Sequence, residues 1–271
     1  MSDISKQSDV HPMAVIDPGA KLGAGVRVGA YSVIGGNVSL GDNVQIYPHV
    51  VIEGRTEIGA ETQIFPFASI GMQPQDLKYH GEPSRLVIGA RNLIREHVTM
   101  NPGTEGGRMM TSVGDDCLFM VGSHVAHDCV IGDGVILANN ATLGGHVVVG
   151  SRAILGGLAA VRQFVRIGAH AIVGGMSGVE SDVIPFGMVK GDRANLAGLN
   201  IVGLRRHGFP RERIDALRSA YKVLFGPDGT LQQRLADLER QSTDDAAVLE
   251  LADFVRADTQ LGICQPRDYS D

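Results

Sequence analysis

An aliphatic side chain returns every six positions along the first part of the chain: Ile16, Leu22, Val28, Ile34, Leu40, Ile46, Ile52, Ile58, Ile64 and Ile70. A second run reads Ile88, Ile94 and Met100. A third starts at Val113 and passes through Phe119, Val125, Ile131, Leu137, Leu143, Val149, Leu155, Val161, Ile167 and Val173 to Val179. A period of six fits neither the 3.6-residue turn of a helix nor the alternation of a flat strand. Glycine follows the aliphatic at Gly23, Gly29, Gly35 and Gly41, and later every eighteen residues at Gly114, Gly132, Gly150 and Gly168. Six with a super-period of eighteen predicts a triangular coil of three short strands and three turns. Successive coils then pair as parallel strands about 4.8 Å apart. No single repeat can bury its own aliphatic, but stacked coils turn them into core columns.

The repeat breaks twice, which predicts loops at 71–87 and 101–112 on a β-domain spanning 11–190. The first, Met72 to Ser84, is polar with two prolines and is expected to replace most of one coil; the second shifts the phase by one. Beyond Pro185 the pattern changes to that of a small α-helical domain over 195–271. Ile214, Leu217, Tyr221 and Leu224 predict an amphipathic helix over Glu212–Phe225. A turn at Gly226–Gly229 and a capping box of Thr230 with Gln233 predict a second helix to about Arg240. Ser242 with Asp245 predicts a third, and the tail after Gly262 reads as loose.

Composition narrows the function. Thirty-six glycines with 5% aromatic residues and no tryptophan fit a turn-rich fold. A formal charge of −6 gives no global basic field for nucleic acid. The apolar runs are too short for a membrane span, and the polar stretch Met1–Val10 lacks a signal-peptide core. Cys117, Cys129 and Cys264 fit no metal or redox spacing and read as reduced structural thiols of a cytoplasmic protein.

The eighteen-residue step also places chemistry. From His127 it leads to Gly145, beside His146, and then to Gln163, beside Arg162. These residues form one vertical stripe. It offers a general base, an amide for an oxyanion and polar groups to hold a substrate. Solvated corner histidines are the bland alternative. Zinc held by His124, His127 and His146 from two subunits, as in gamma-class carbonic anhydrases, is another.

Five segments carry a specific resemblance: Ala126-His127-Asp128-Cys129, Leu137-Ala138-Asn139-Asn140, Gly145-His146-Val147, Gln75-Asp76-Leu77-Lys78-Tyr79 and Gly203-Leu204-Arg205-Arg206. From about His11 to the C-terminal helices the chain resembles the UDP-N-acetylglucosamine O-acyltransferases, which start lipid A synthesis. That resemblance, with the wider one to hexapeptide-repeat proteins, implies a left-handed parallel β-helix and a homotrimer. It also implies transfer of a 3-hydroxyacyl chain from acyl carrier protein to the sugar 3-hydroxyl, without a cofactor or metal.

By the same resemblance His127 is the general base, the Gly145 amide stabilises the oxyanion, and Asp128 supports His127. Asp76 and Lys78 hold the sugar nucleotide from a neighbouring subunit. His124, His146 and Gln163 contact substrate, and Asn200 and Arg206 contact the UDP group. Gly175 stands where the family closes its acyl groove. A glycine there implies a relatively long chain, of roughly twelve to fourteen carbons or more. Arg162, Val202 and His207 depart from the family pattern, where histidine, an acidic residue and arginine are usual. A 3-amino sugar nucleotide is therefore an alternative acceptor, and an acetyl-CoA-dependent transferase or a non-enzymatic scaffold are more distant readings. Arg91, Arg95, Arg152, Arg162, Arg166, Lys190, Arg193, Arg205 and Arg206 are expected to form a local basic surface for acidic acyl carrier protein.

Overall fold

A computed structural model describes residues 8–241, 244–257, 259 and 261–267. Short strands wind into a left-handed parallel β-helix with three flat faces. Among the described residues the first face has eleven strands, including Leu118–Phe119 and Ile136–Leu137. The second has nine, including His124–Val125 and Thr142–Leu143, and the third has eight, including Val130–Ile131 and Val148–Val149. Coils pair in the eighteen-residue register, as Val125 with Leu143 and Leu143 with Val161. The aliphatic of each repeat points inward, and from Val28 onward these side chains are buried throughout all three runs.

The corners explain how such short strands turn. At most corners the third residue after the inward aliphatic has a positive φ, among them Asn43, Asp116, Asp128, Asn140 and His146. Left-handed backbone is costly for most side chains. Here the parallel ladder on either side holds each corner in place, as in the bond from the His146 N–H to the His127 carbonyl oxygen (2.9 Å).

Both insertions leave the prism at the edge between the second and third faces. Ile58 pairs with Ile88, thirty residues on, and Ile88 with Val113, twenty-five on. The first loop is thus added to a complete coil, where the sequence suggested that it replaces one. Strands Arg85–Ile88 and Met110–Val113 limit the irregular segments to 71–84 and 101–109.

The last coil is closed by an antiparallel strand, Asn195–Leu199, paired with Gly187–Lys190. Among the described residues four helices follow: α1 (Ile201–Arg206), α2 (Arg211–Leu224), α3 (Leu231–Arg240) and α4 (Ala246–Arg256). The Thr230–Gln233 capping box is present. Helix α4 is capped by the Asp245 side chain, and Ser242 lies outside the described residues. Helix α1 went unseen in the sequence, being a single short element next to a strand.

Residues 263–267 are tied down where looseness was expected, through bridges of Ile263 to Asp182 and Pro266 to Leu196, and residues 268–271 lie outside the described residues. Asp182, fully buried, accepts from Arg166 Nε (2.8 Å), the Arg166 amide (2.8 Å) and Thr259 Oγ1 (2.9 Å). Its own N–H donates to Gly262 O, and Cys264 N–H donates back to its carbonyl. All three cysteines are free and buried, and burial pushes Cys117 and Cys264 up to about 11 and Cys129 to about 12. None is a reactive thiolate near neutral pH.

Candidate active site

Two columns run side by side up the edge between the second and third faces. One holds His127, Gly145 and Gln163, and the other Asp128, His146 and Phe164. His127 is 7% exposed and Asp128 not at all. The His127 Nδ1–H donates to Asp128 Oδ2 at 2.9 Å, which leaves Nε2 as the free basic nitrogen of the neutral ring. His146 stacks on Phe164 (4.5 Å between ring centres) and meets the His127 ring edge-on (5.0 Å).

Gly145 makes room for that imidazole. A β-carbon at this position would lie 2.5 Å from both Cε1 and Nε2 of His127. The ladder around it runs through the Gly144 N–H to Val161 and the His146 N–H to His127, so it does not use the Gly145 N–H. A cleft of about 510 Å³ opens over this corner. His127, Gly145, Gln163, His124 and Thr99 line it, and Gln75 from the first loop reaches into it.

Burial of the ring, with His127 nearby, lowers the proton affinity of His124. Its Nδ1 lies 2.7 Å from Thr99 Oγ1. Burial also lowers the proton affinity of His146, against the opposing pull of Asp128 and Asp76. The Asp76 carboxylate is thus one of the charges that His146 feels within the chain. Its Oδ1 also accepts the Lys78 N–H, while the Lys78 side chain stands in solvent.

The other expected residues lie on different edges. Asn200 caps α1 through Gly203 N–H (3.0 Å) and donates Nδ2–H to His170 O (2.9 Å); at 8% exposure its amide serves the fold. Arg206 is exposed at the end of α1, beside His207, whose Nδ1 is 3.3 Å from Arg152. This group sits at the edge between the third and first faces. Gly175 lies at the remaining edge, between the first and second faces.

Near Asn200, the His170 ring packs against Phe186, Phe209 and His207, and burial lowers its pKa from 6.5 to about 4. The folded protein then binds fewer protons here than the unfolded chain. The stability this provides is complete above pH 6.5 and is lost as pH falls toward about 4. Urea denaturation across this window shows a falling midpoint for the native chain and a flatter profile for His170→Phe.

The donors of this site do not fit zinc. Nitrogens of His127 and His146 and an oxygen of Asp128 come within 4.8 Å of one another. The Asp128 carboxylate, however, already accepts from Thr104 N–H and Oγ1–H, Arg108 N–H and His127. His124 pairs with Thr99 and does not join the group.

The expected basic surface is smaller than its arginines suggest. Arg91 pairs with Asp115 and Asp116, Arg95 with Glu96, Arg166 with Asp182 and Arg193 with Glu180. Among the described residues Arg152, Arg162, Lys190, Arg205 and Arg206 have no ion-pair partner, although Arg152 lies 3.3 Å from His207 Nδ1.

A family model described as UDP N-acetylglucosamine O-acyltransferase, domain 2, matches residues 182–264, and one described as bacterial transferase hexapeptide (six repeats) matches 110–145. The acyl-[acyl-carrier-protein]–UDP-N-acetylglucosamine O-acyltransferase of Methylobacterium radiotolerans is 63% identical over 205 residues, which cover 76% of this chain and 75% of that protein. The Caulobacter vibrioides protein of the same name is 51% identical over 257 residues, 95% of this chain and 98% of its own. A crystal structure of a UDP-N-acetylglucosamine acyltransferase superposes with a TM-score of 0.93 at 41% identity, covering 96% of this chain and 100% of that one. The Francisella novicida UDP-N-acetylglucosamine acyltransferase superposes with a TM-score of 0.92 at 33% identity, covering 96% and 95%.

Proposed function

The chain belongs to the acyl-[acyl-carrier-protein]–UDP-N-acetylglucosamine O-acyltransferase family, and from that membership we propose that its chemistry runs at the His127 corner. The enzyme transfers an acyl chain from acyl carrier protein to UDP-N-acetylglucosamine in lipid A biosynthesis. His127 Nε2 removes the proton from the sugar 3-hydroxyl as that oxygen attacks the thioester carbonyl of a 3-hydroxyacyl carrier protein. The Gly145 N–H, spare in the ladder, donates to the tetrahedral oxyanion. As the intermediate collapses, the carrier thiolate leaves and takes a proton from the His127 imidazolium. A thioester is already activated, so a neutral histidine is a sufficient base. The His127–Asp128 bond at 2.9 Å carries this reading, because it fixes the tautomer that leaves Nε2 basic.

The second face offers a lane for the acyl chain. Its outward positions above His124 are Thr142, Ala160 and Gly178, which pair one above another. At the top edge Gly157 and Gly175 leave a bare floor beside exposed Leu158 and Met176. Three coils separate the His127 and Gly175 levels, about 14 Å of rise, and crossing the face adds to this the span of a long chain. Gly175→Met therefore cuts transfer of a long donor by about 100-fold and spares short ones, read as kcat/KM across donors of different length. Preference of the native enzyme for a ten-carbon over a fourteen-carbon donor would contradict the lane.

Nucleotide contacts come from Arg206 and neighbouring residues on another edge, so the complete site forms between copies of the chain, as a homotrimer in the cytoplasm. Among the described residues no helix is long and apolar enough to cross a membrane. The assay that tests the reading offers 3-hydroxyacyl carrier protein with UDP-N-acetylglucosamine or its 3-amino analogue, with and without chelator. Turnover of the hydroxyl acceptor, unaffected by chelator, is expected. Turnover confined to the amino sugar would move the acceptor atom to nitrogen, and loss with chelator would point to a metal.

A further inference from the structure

We infer that Thr104 is a positioning residue for acyl transfer, acting on His127 through Asp128; this rests on the role proposed for His127. The second insertion leaves the prism one coil below the catalytic corner, on the same edge. It wraps around the Asp128 carboxylate. Thr104 Oγ1 donates to Oδ2 at 2.6 Å, the same oxygen that receives the His127 Nδ1–H. The Thr104 N–H reaches both oxygens (3.2 and 3.1 Å), and the Arg108 N–H donates to Oδ1 at 2.6 Å. Gly107 closes the turn so tightly that a β-carbon there would lie 2.3 Å from the carboxylate carbon.

This packing decides how the buried charge is held. Asp128 is fully buried, and Thr104 is 4% exposed. The Arg108 guanidinium donates to the Asp128 main-chain oxygen and makes no ion pair with the carboxylate. Hydrogen bonds from the loop therefore do the work that a counter-ion does elsewhere. Burial alone would raise the Asp128 pKa. The donors of Thr104, His127 and Arg108 together outweigh it and keep the acid ionised. His127, His146, Arg108 and the Cys129 thiol are the titratable or charged groups around it. The loop fixes the rotation of the carboxylate, and so the plane of the His127 ring. By sharing Oδ2, the Thr104 hydroxyl also draws off charge that would otherwise hold the proton of a His127 imidazolium.

The test uses the full-length enzyme with its acyl carrier protein donor. Thr104→Val keeps the shape and the amide but removes the hydroxyl. It lowers kcat about tenfold at neutral pH with KM for both substrates little changed, a loss of the size found when the hydrogen-bond partner behind a metal-bound histidine is removed. The acid limb of its kcat/KM profile moves to higher pH, and Thr104→Ser restores both. In an Asp128→Asn background Thr104→Val adds no further loss. Native kcat and pH profile in Thr104→Val would overturn the inference, and so would an additive loss on top of Asp128→Asn. The readings fail separately. An active His127→Ala enzyme sinks the proposed base, whereas an inactive His127→Ala beside a fully active Thr104→Val sinks only the role of Thr104.

Discussion

Alanine at position 145 lowers kcat by about 100-fold or more, because the added methyl group and the His127 imidazole cannot share the space. The β-carbon would lie 2.5 Å from Nε2, the atom assigned to take the proton. The backbone has little freedom to yield, since the Gly145 carbonyl accepts Phe164 N–H (3.1 Å) and His146 N–H is bonded to His127 O (2.9 Å). The ring must rotate or withdraw, and it then loses its 2.9 Å bond to Asp128. Alanine keeps the amide N–H, so the loss reports displacement of the base and leaves the oxyanion donor intact. Stability falls by about 1–3 kcal/mol, the usual cost of overpacking. The two residues share one cause, so Gly145→Ala adds almost nothing in a His127→Ala background, where the methyl fills the vacated space. Steady-state kinetics of the two single variants and the double variant check this. A Gly145→Ala enzyme with native kcat would mean that the ring does not need the position seen here.

How much of this site could be read from the sequence depended on where the repeat stayed in register. The eighteen-residue step placed Gly145 and Gln163 above His127 because no insertion falls between Val125 and Val179. Phe164 could have been found the same way, eighteen after His146. Below His127 the step fails. Thr99 pairs with His124 across twenty-five residues, so a step of eighteen from His124 lands on Gly106, and the Thr99 contact stays hidden. Thr104 and Arg108 lie in a loop with no period, and only folding shows that they grip Asp128. The step also treats neighbouring positions alike, whereas the positive φ of Asp128 and His146 puts them in a column of their own. Asn200 carried a strong family signal, but its cap on α1 shows that the position is also held by the fold. The arginines looked like one basic surface because sequence does not show that Asp115, Asp116, Glu96, Asp182 and Glu180 fold back onto them.

The loss expected for His127→Ala is the largest of all. Without the base, the sugar hydroxyl must lose its proton to water as it attacks, and positioned general-base catalysis is worth up to about 10⁴-fold. The cleft, Gly145 and Gln163 remain, so both substrates still bind and KM changes little. Nor does folding suffer much, because His127 sits at a corner facing the cleft and the stacked aliphatics inside the prism are untouched. Single-turnover acyl transfer from 3-hydroxyacyl carrier protein to UDP-N-acetylglucosamine isolates the chemical step from carrier release. In that measurement the account predicts a rate about 10³-fold or more below native for a folded His127→Ala enzyme saturated with both substrates. A native single-turnover rate from the same variant would contradict it.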